Sequence, residues 1–167
     1  MSNGTARCLA ANPTYFYTMR IRFQKEHGGH RLICTRRDGS FTQSAVGPSL
    51  PEHDLAHFVV ESELRLDQGF FGLINEGYSI QQLGDPAVIP SLPAGSMEAE
   101  VLTRTLQGLS NGAVAQSDFG ASVEAELSRV PKGLTDAVIT HMLQTYVTLL
   151  NSWDNVAEGA ALELRWR

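Results

Sequence analysis

The sequence predicts an α+β domain: an antiparallel sheet packed against several helices. Three observations carry that expectation. Apolar and polar residues alternate in three short N-terminal stretches joined by Gly-containing turns. A series of longer segments with helical spacing follows. The last six residues, Leu162-Glu163-Leu164-Arg165-Trp166-Arg167, then return to strict alternation.

Residues 1–12 read as a flexible tail and 13–167 as one domain, long enough to bury a core. From Thr14 to Lys25, Tyr15, Tyr17, Met19, Ile21 and Phe23 share one face of a strand, and Thr14, Thr18, Arg20, Arg22 and Gln24 the other. The turn His27-Gly28-Gly29-His30 leads to a second strand, Arg31–Arg36. Asp38-Gly39 supplies a hairpin signal, and Phe41–Val46 closes the meander.

Ser49 followed by Glu52 has capping-box spacing, so the first helix should begin there and run to about Arg65. Asp67 is placed to cap a short helix holding Phe70, Phe71, Leu73 and Ile74, which Gly77 would stop. Residues 79–95 contain Pro86, Pro90 and Pro93, and are long enough to wrap the core or cover a site. Helices are expected over Ser96–Leu109, with Glu98 and Glu100 as an acidic first turn, over Ser117–Val130, and over Leu134 to about Ala157. The closing alternation gives a terminal strand that should return to the N-terminal sheet, presenting Leu162, Leu164 and Trp166 to the helices.

Composition excludes several classes. At 43% apolar and 19% charged the chain is not of a disordered type, and it has no apolar run of membrane-spanning length. The start of the chain lacks the pattern of a signal peptide. Two cysteines, Cys8 and Cys34, make no disulfide framework, so a cytoplasmic protein is expected. The net charge of −5 argues against a general nucleic-acid binder. Nine of the 13 Lys/Arg nevertheless lie in residues 1–37 and 161–167, against two of the 18 Asp/Glu, so one sheet face should be cationic.

The chemistry concentrates in Pro51–Glu61. His53 and His57 are one helical turn apart, Glu61 continues the row, and Asp54 lies close to it. Two imidazoles and one or two carboxylates on one helix edge can hold a divalent ion, with Zn²⁺ as the first choice and Fe²⁺ or Mn²⁺ as others, and keep a position open for water or substrate. The metal ligands expected are His53, His57, Asp54, Glu61 and, from the last helix, His141. Asp54 or Glu61 is also the candidate general base. The other reading makes both histidines packed structural residues of a non-enzymatic interaction protein, dimerising through the broad apolar face of the 134–157 helix. That face holds Leu134, Val138, Met142, Tyr146, Leu149, Leu150 and Trp153.

The segments Arg36-Arg37-Asp38-Gly39-Ser40, Leu50-Pro51-Glu52-His53-Asp54-Leu55-Ala56-His57 and Gly69-Phe70-Phe71-Gly72-Leu73 resemble a small bacterial family of uncharacterised proteins. That resemblance spans roughly residues 20–80 and implies no assigned activity. His53, Asp54 and His57 are also similar to the His-Asp-x-x-His start of the ubiquinone-biosynthesis scaffold proteins, which implies zinc. Gly69 stands where their later Glu would be, so Glu61 would have to substitute. Beside the His-Glu-x-x-His of zinc peptidases, Asp54 is one methylene shorter than the general base.

Overall fold

The computed structural model describes residues 18–167. The expected tail and the start of the first strand, with Tyr15 and Tyr17, lie outside the described residues. Four strands, β1 (Met19–Glu26), β2 (Gly29–Arg36), β3 (Phe41–Val46) and β4 (Ala161–Trp166), form one antiparallel sheet in the order β3-β2-β1-β4. Among the described residues, six α-helices complete the α+β fold: α1 (Leu50–Leu64), α2 (Phe70–Glu76), α3 (Ile80–Leu83), α4 (Ala94–Ser110), α5 (Phe119–Leu127) and α6 (Asp136–Asp154).

Strand alternation sets the sheet's inner face. Met19, Ile21 and Phe23 are buried opposite Leu32 and Cys34 on one side and the register partners Trp166, Leu164 and Leu162 on the other. The terminal strand thus returns beside β1, and Trp166 packs against Phe58 of α1 and Phe71 of α2. Thr18 also binds the carbonyl of Arg167 through its hydroxyl. Arg20, Arg22, Arg31 and Arg165 occupy the outer face, where Glu26 and Glu163 pair with Arg31 and Arg22. Lys25 turns inward instead, with its ammonium over the Trp153 ring and bonded to the last carbonyls of α6.

Two caps differ from the sequence reading. Ser49 has helical φ/ψ (−97°, −6°) and makes no side-chain cap bond, because a capping oxygen needs the extended backbone that aims it at the first turn. At α2 the flanking residue is Gly69, and Asp67 pairs with Arg167 instead. The N-terminus of α2 is satisfied from the preceding helix. Glu61 accepts hydrogen bonds from the backbone N–H of Phe70, Phe71 and Gly72 at 2.7, 3.0 and 3.2 Å.

That arrangement accounts for Gly-Phe-Phe-Gly in physical terms. A Cβ on Gly69 would fall inside the Glu61 carboxylate, and one on Gly72 would strike the Asp67 backbone. Both glycines have to be bare so that the loop can close on the carboxylate. Phe70 and Phe71 then point into the molecule between them.

Helix α1 is buried on several sides, with Pro51, Leu55, Ala56, Val59 and Val60 all in the interior. It packs against α2, α4 and α6 and reaches the sheet through Phe58. Polar side chains on such a helix need partners or a function. Among the described residues, no helix is long and apolar enough to cross a membrane.

Candidate metal centre

Helices α1 and α4 run antiparallel, which sets His53 opposite Gln107 and His57 opposite Glu100. The inner nitrogens of both imidazoles converge on one carboxylate oxygen. His57 Nε2 lies 3.0 Å and His53 Nε2 3.5 Å from Oε2 of Glu100. One ligand atom from each of the three residues falls within 4.8 Å of the others. The 3.0 and 3.5 Å separations bracket the edge of about 3.3 Å that bonds of about 2.0–2.1 Å give a tetrahedral site, and the remaining edge is at most 4.8 Å.

The outer nitrogens are also held. His53 Nδ1 lies 2.9 Å from Oε1 of Gln107, and His57 Nδ1 lies 3.0 Å from Oε1 of Glu61. An amide oxygen and a carboxylate can only accept, so each Nδ1 carries the proton. With Nδ1 so occupied, Nε2 is the nitrogen a cation would take, on displacing the proton that His57 Nε2 gives to Glu100 while no cation is present. Glu61 is fully buried and holds His57 with the same carboxylate that caps α2. It therefore orients a candidate ligand and does not reach the cluster as a ligand itself.

Charge follows from these contacts. Burial pulls the His57 imidazole down, but Glu100 and Glu61 outweigh it and push it up to about 9. His53 is also raised, chiefly by its bond to Glu100. Bonds from His53 and then His57 hold the Glu100 carboxyl well below the usual range. In the absence of a cation, the cluster is a proton-bound His–Glu–His bridge.

Asp54 is different. It is 6% exposed, and no hydrogen bond from a described residue reaches its carboxylate. Burial drives it up from 3.8 to about 6, against the opposing pull of His57 and His53. It lines a cavity of about 500 Å³ together with His53, His57 and Glu100. The far walls are Ser44–Val46 of β3 and Ile80–Gly84. A second, apolar lobe of about 200 Å³ shares His57, Phe70, Leu83 and Glu100 with the first. Part of the irregular 79–95 segment thus covers the site, with α3 tied to the β3 edge through Thr42 and Gln43.

Of the residues nominated from sequence, the structure brings His53, His57 and Asp54 to one cavity. It sets Glu61 behind His57, and it leaves His141 apart. His141 has a side chain 60% exposed and faces Glu63 at 3.4 Å. Its neighbour Met142 is buried, and one residue's rotation of about 100° turns His141 outward. Sequence reasoning missed Glu100 and Gln107 as site residues. Helix α4 begins at Ala94, so Glu100 lies in its second turn and not at its positive end. No family model, curated protein or solved structure matches the chain.

Proposed function

We propose that this protein binds one divalent metal ion through His53, His57 and Glu100, and uses it for hydrolytic or lyase chemistry on a small molecule. The observation that carries this reading is the coincidence of two features in one cavity. Three donors converge, the two imidazoles with their outer nitrogens fixed, and a buried carboxylate with no hydrogen bond from a described residue stands beside them. Three protein ligands leave a coordination position open, which is the pattern of reactive and not of closed structural sites. Zn²⁺ is the ion we assign; two histidines and one carboxylate also suit Fe²⁺.

A bound ion would polarise a substrate oxygen or acidify a water. The chain's own residues do the rest. Gln107 and Glu61 keep the two imidazoles in the tautomer that offers Nε2, and Asp54 accepts the proton released in the cavity. Titration of the metal-free protein with Zn²⁺, Co²⁺, Mn²⁺ and Fe²⁺ tests the site. We expect one ion per chain, with affinity at least a hundredfold lower in Glu100→Gln and in His53→Ala. Equal uptake by the parent and both folded variants overturns the reading.

A second reading has its own support. His57 lies between Glu61 and Glu100, an arrangement that can serve purely as a buried ionic brace. Helix α6 leaves Leu143, Leu149 and Leu150 only partly covered and Val147 41% exposed, a surface that suits a second copy of the chain. Under this reading no metal is taken up, and sedimentation shows a dimer at tens of micromolar.

A further inference from the structure

We infer that the ligand of this site is a small neutral molecule, an oxygen-bearing head group on an apolar tail, with the tail in the 200 Å³ lobe and the head at His57 and Glu100. The inference rests on the proposed metal site and narrows it to a substrate class. Four residues are common to the two lobes: His57, Phe70, Leu83 and Glu100. A molecule reaching from one into the other would pass beside His57 and Glu100.

The walls select the two ends. One lobe is built from Leu73, Leu83, Ile89, Leu92 and Met97, with Ser96 and the two shared site residues as its polar members. Ile89 and Met97 are also among the most exposed large apolar side chains of the described residues. Exposed apolar groups at the mouth of an apolar lobe are what a hydrocarbon ligand would cover. The other lobe offers Ser44, Gln81, His53 and Asp54 to a head group.

Charge completes the argument. Among the described residues, neither lobe is lined by a lysine or an arginine, the side chains that recognise phosphate and carboxylate. Glu100 and Asp54 together offset the two charges of a divalent ion, so a phosphorylated or carboxylate substrate would find no net attraction here. A neutral ester, amide or ketone fits the lining.

The test uses Zn²⁺-loaded full-length protein and n-alkyl hydroxamic acids from acetyl to octanoyl, with n-alkyl phosphonates of matched length, by calorimetry. Hydroxamate affinity should rise about two- to fourfold per added methylene until the lobe is filled. Phosphonates should bind at least tenfold more weakly at each length. Met97→Asp, at a residue 55% exposed and therefore tolerant of the change, should flatten the chain-length dependence of hydroxamate affinity. Zn²⁺ uptake with hydroxamate affinities independent of chain length, or with phosphonates preferred, overturns the ligand class and leaves the metal site standing. Absence of Zn²⁺ uptake overturns both.

Discussion

Replacing Asp54 by asparagine should make the metal-free protein more stable at neutral pH, the reverse of what removing a buried structural carboxylate does. Burial raises this group from 3.8 to about 6, and one unit corresponds to 1.36 kcal/mol. The charged form therefore costs the fold about 3 kcal/mol. Because the folded value lies above the unfolded one, the cost is absent below pH 3.8, grows between 3.8 and about 6, and is complete above that. Asparagine carries no charge, and its amide still faces a cavity wide enough for water. We expect a gain of about 1–3 kcal/mol at pH 7.5, or several degrees in Tm for a domain of this size. At pH 4 the gain should shrink below about 1 kcal/mol. Urea unfolding of both proteins with a chelator present reads the difference. An asparagine variant less stable than the parent at pH 7.5, or a gain equal at both pH values, refutes the reading that this carboxylate is buried without a hydrogen bond from any described residue.

Metal uptake should release about one proton per ion at pH 7, because the His57 imidazole, pushed up to about 9 by Glu100 and Glu61 against the pull of burial, must free Nε2. Calorimetry in two buffers of different ionisation enthalpy counts it, and a count of zero removes His57 from the ligand set. The same upward shift means that its contribution to metal-free stability is complete below pH 6.5 and lost as pH rises through about 9. Gly69→Ala should destabilise by about 1–3 kcal/mol through overpacking, although φ at this position is an ordinary −80°; thermal melting that is unchanged would show that the Glu61 carboxylate can move aside. Trp166→Ala should cost roughly 3–5 kcal/mol, and deletion of residues 161–167 more; a deletion protein melting with the parent would mean that β4 does not hold the sheet.

The sheet was legible because period-two alternation leaves few options once one face is buried. Met19, Ile21 and Phe23 on one strand and Leu162, Leu164 and Trp166 on another can only share an inner face, and they do so in register. The helix ends were less legible because they depend on tertiary partners. Ser49 and Asp67 are good capping residues by type, yet Ser49 makes no side-chain cap bond, and α2 takes its cap from Glu61, nine to eleven positions back along the chain. Propensity describes what a residue can do locally, and a buried carboxylate offering both oxygens outweighs it.

The site divides along the same line. His53 and His57 were visible because one helix fixes both, and four residues is one turn. Glu100 was not, because its partner lies 43 positions away and nothing local marks an acid in a helix as a ligand. What could have marked it is the pairing with Gln107. Seven residues make nearly two full turns, so Glu100 and Gln107 project from almost the same side of α4 between the buried Ala99, Val101, Leu102 and Leu106. Two polar side chains on a flank that otherwise packs need a reason to be there, and on α1 two histidines four apart pose the same question. An antiparallel pairing of α1 and α4 answers both, because it runs His53 to His57 against Gln107 to Glu100. That pairing also separates the two roles the carboxylates play. Glu61 is drawn behind His57 by the backbone N–H groups of α2, which leaves the position beside both Nε2 atoms to an acid from another helix.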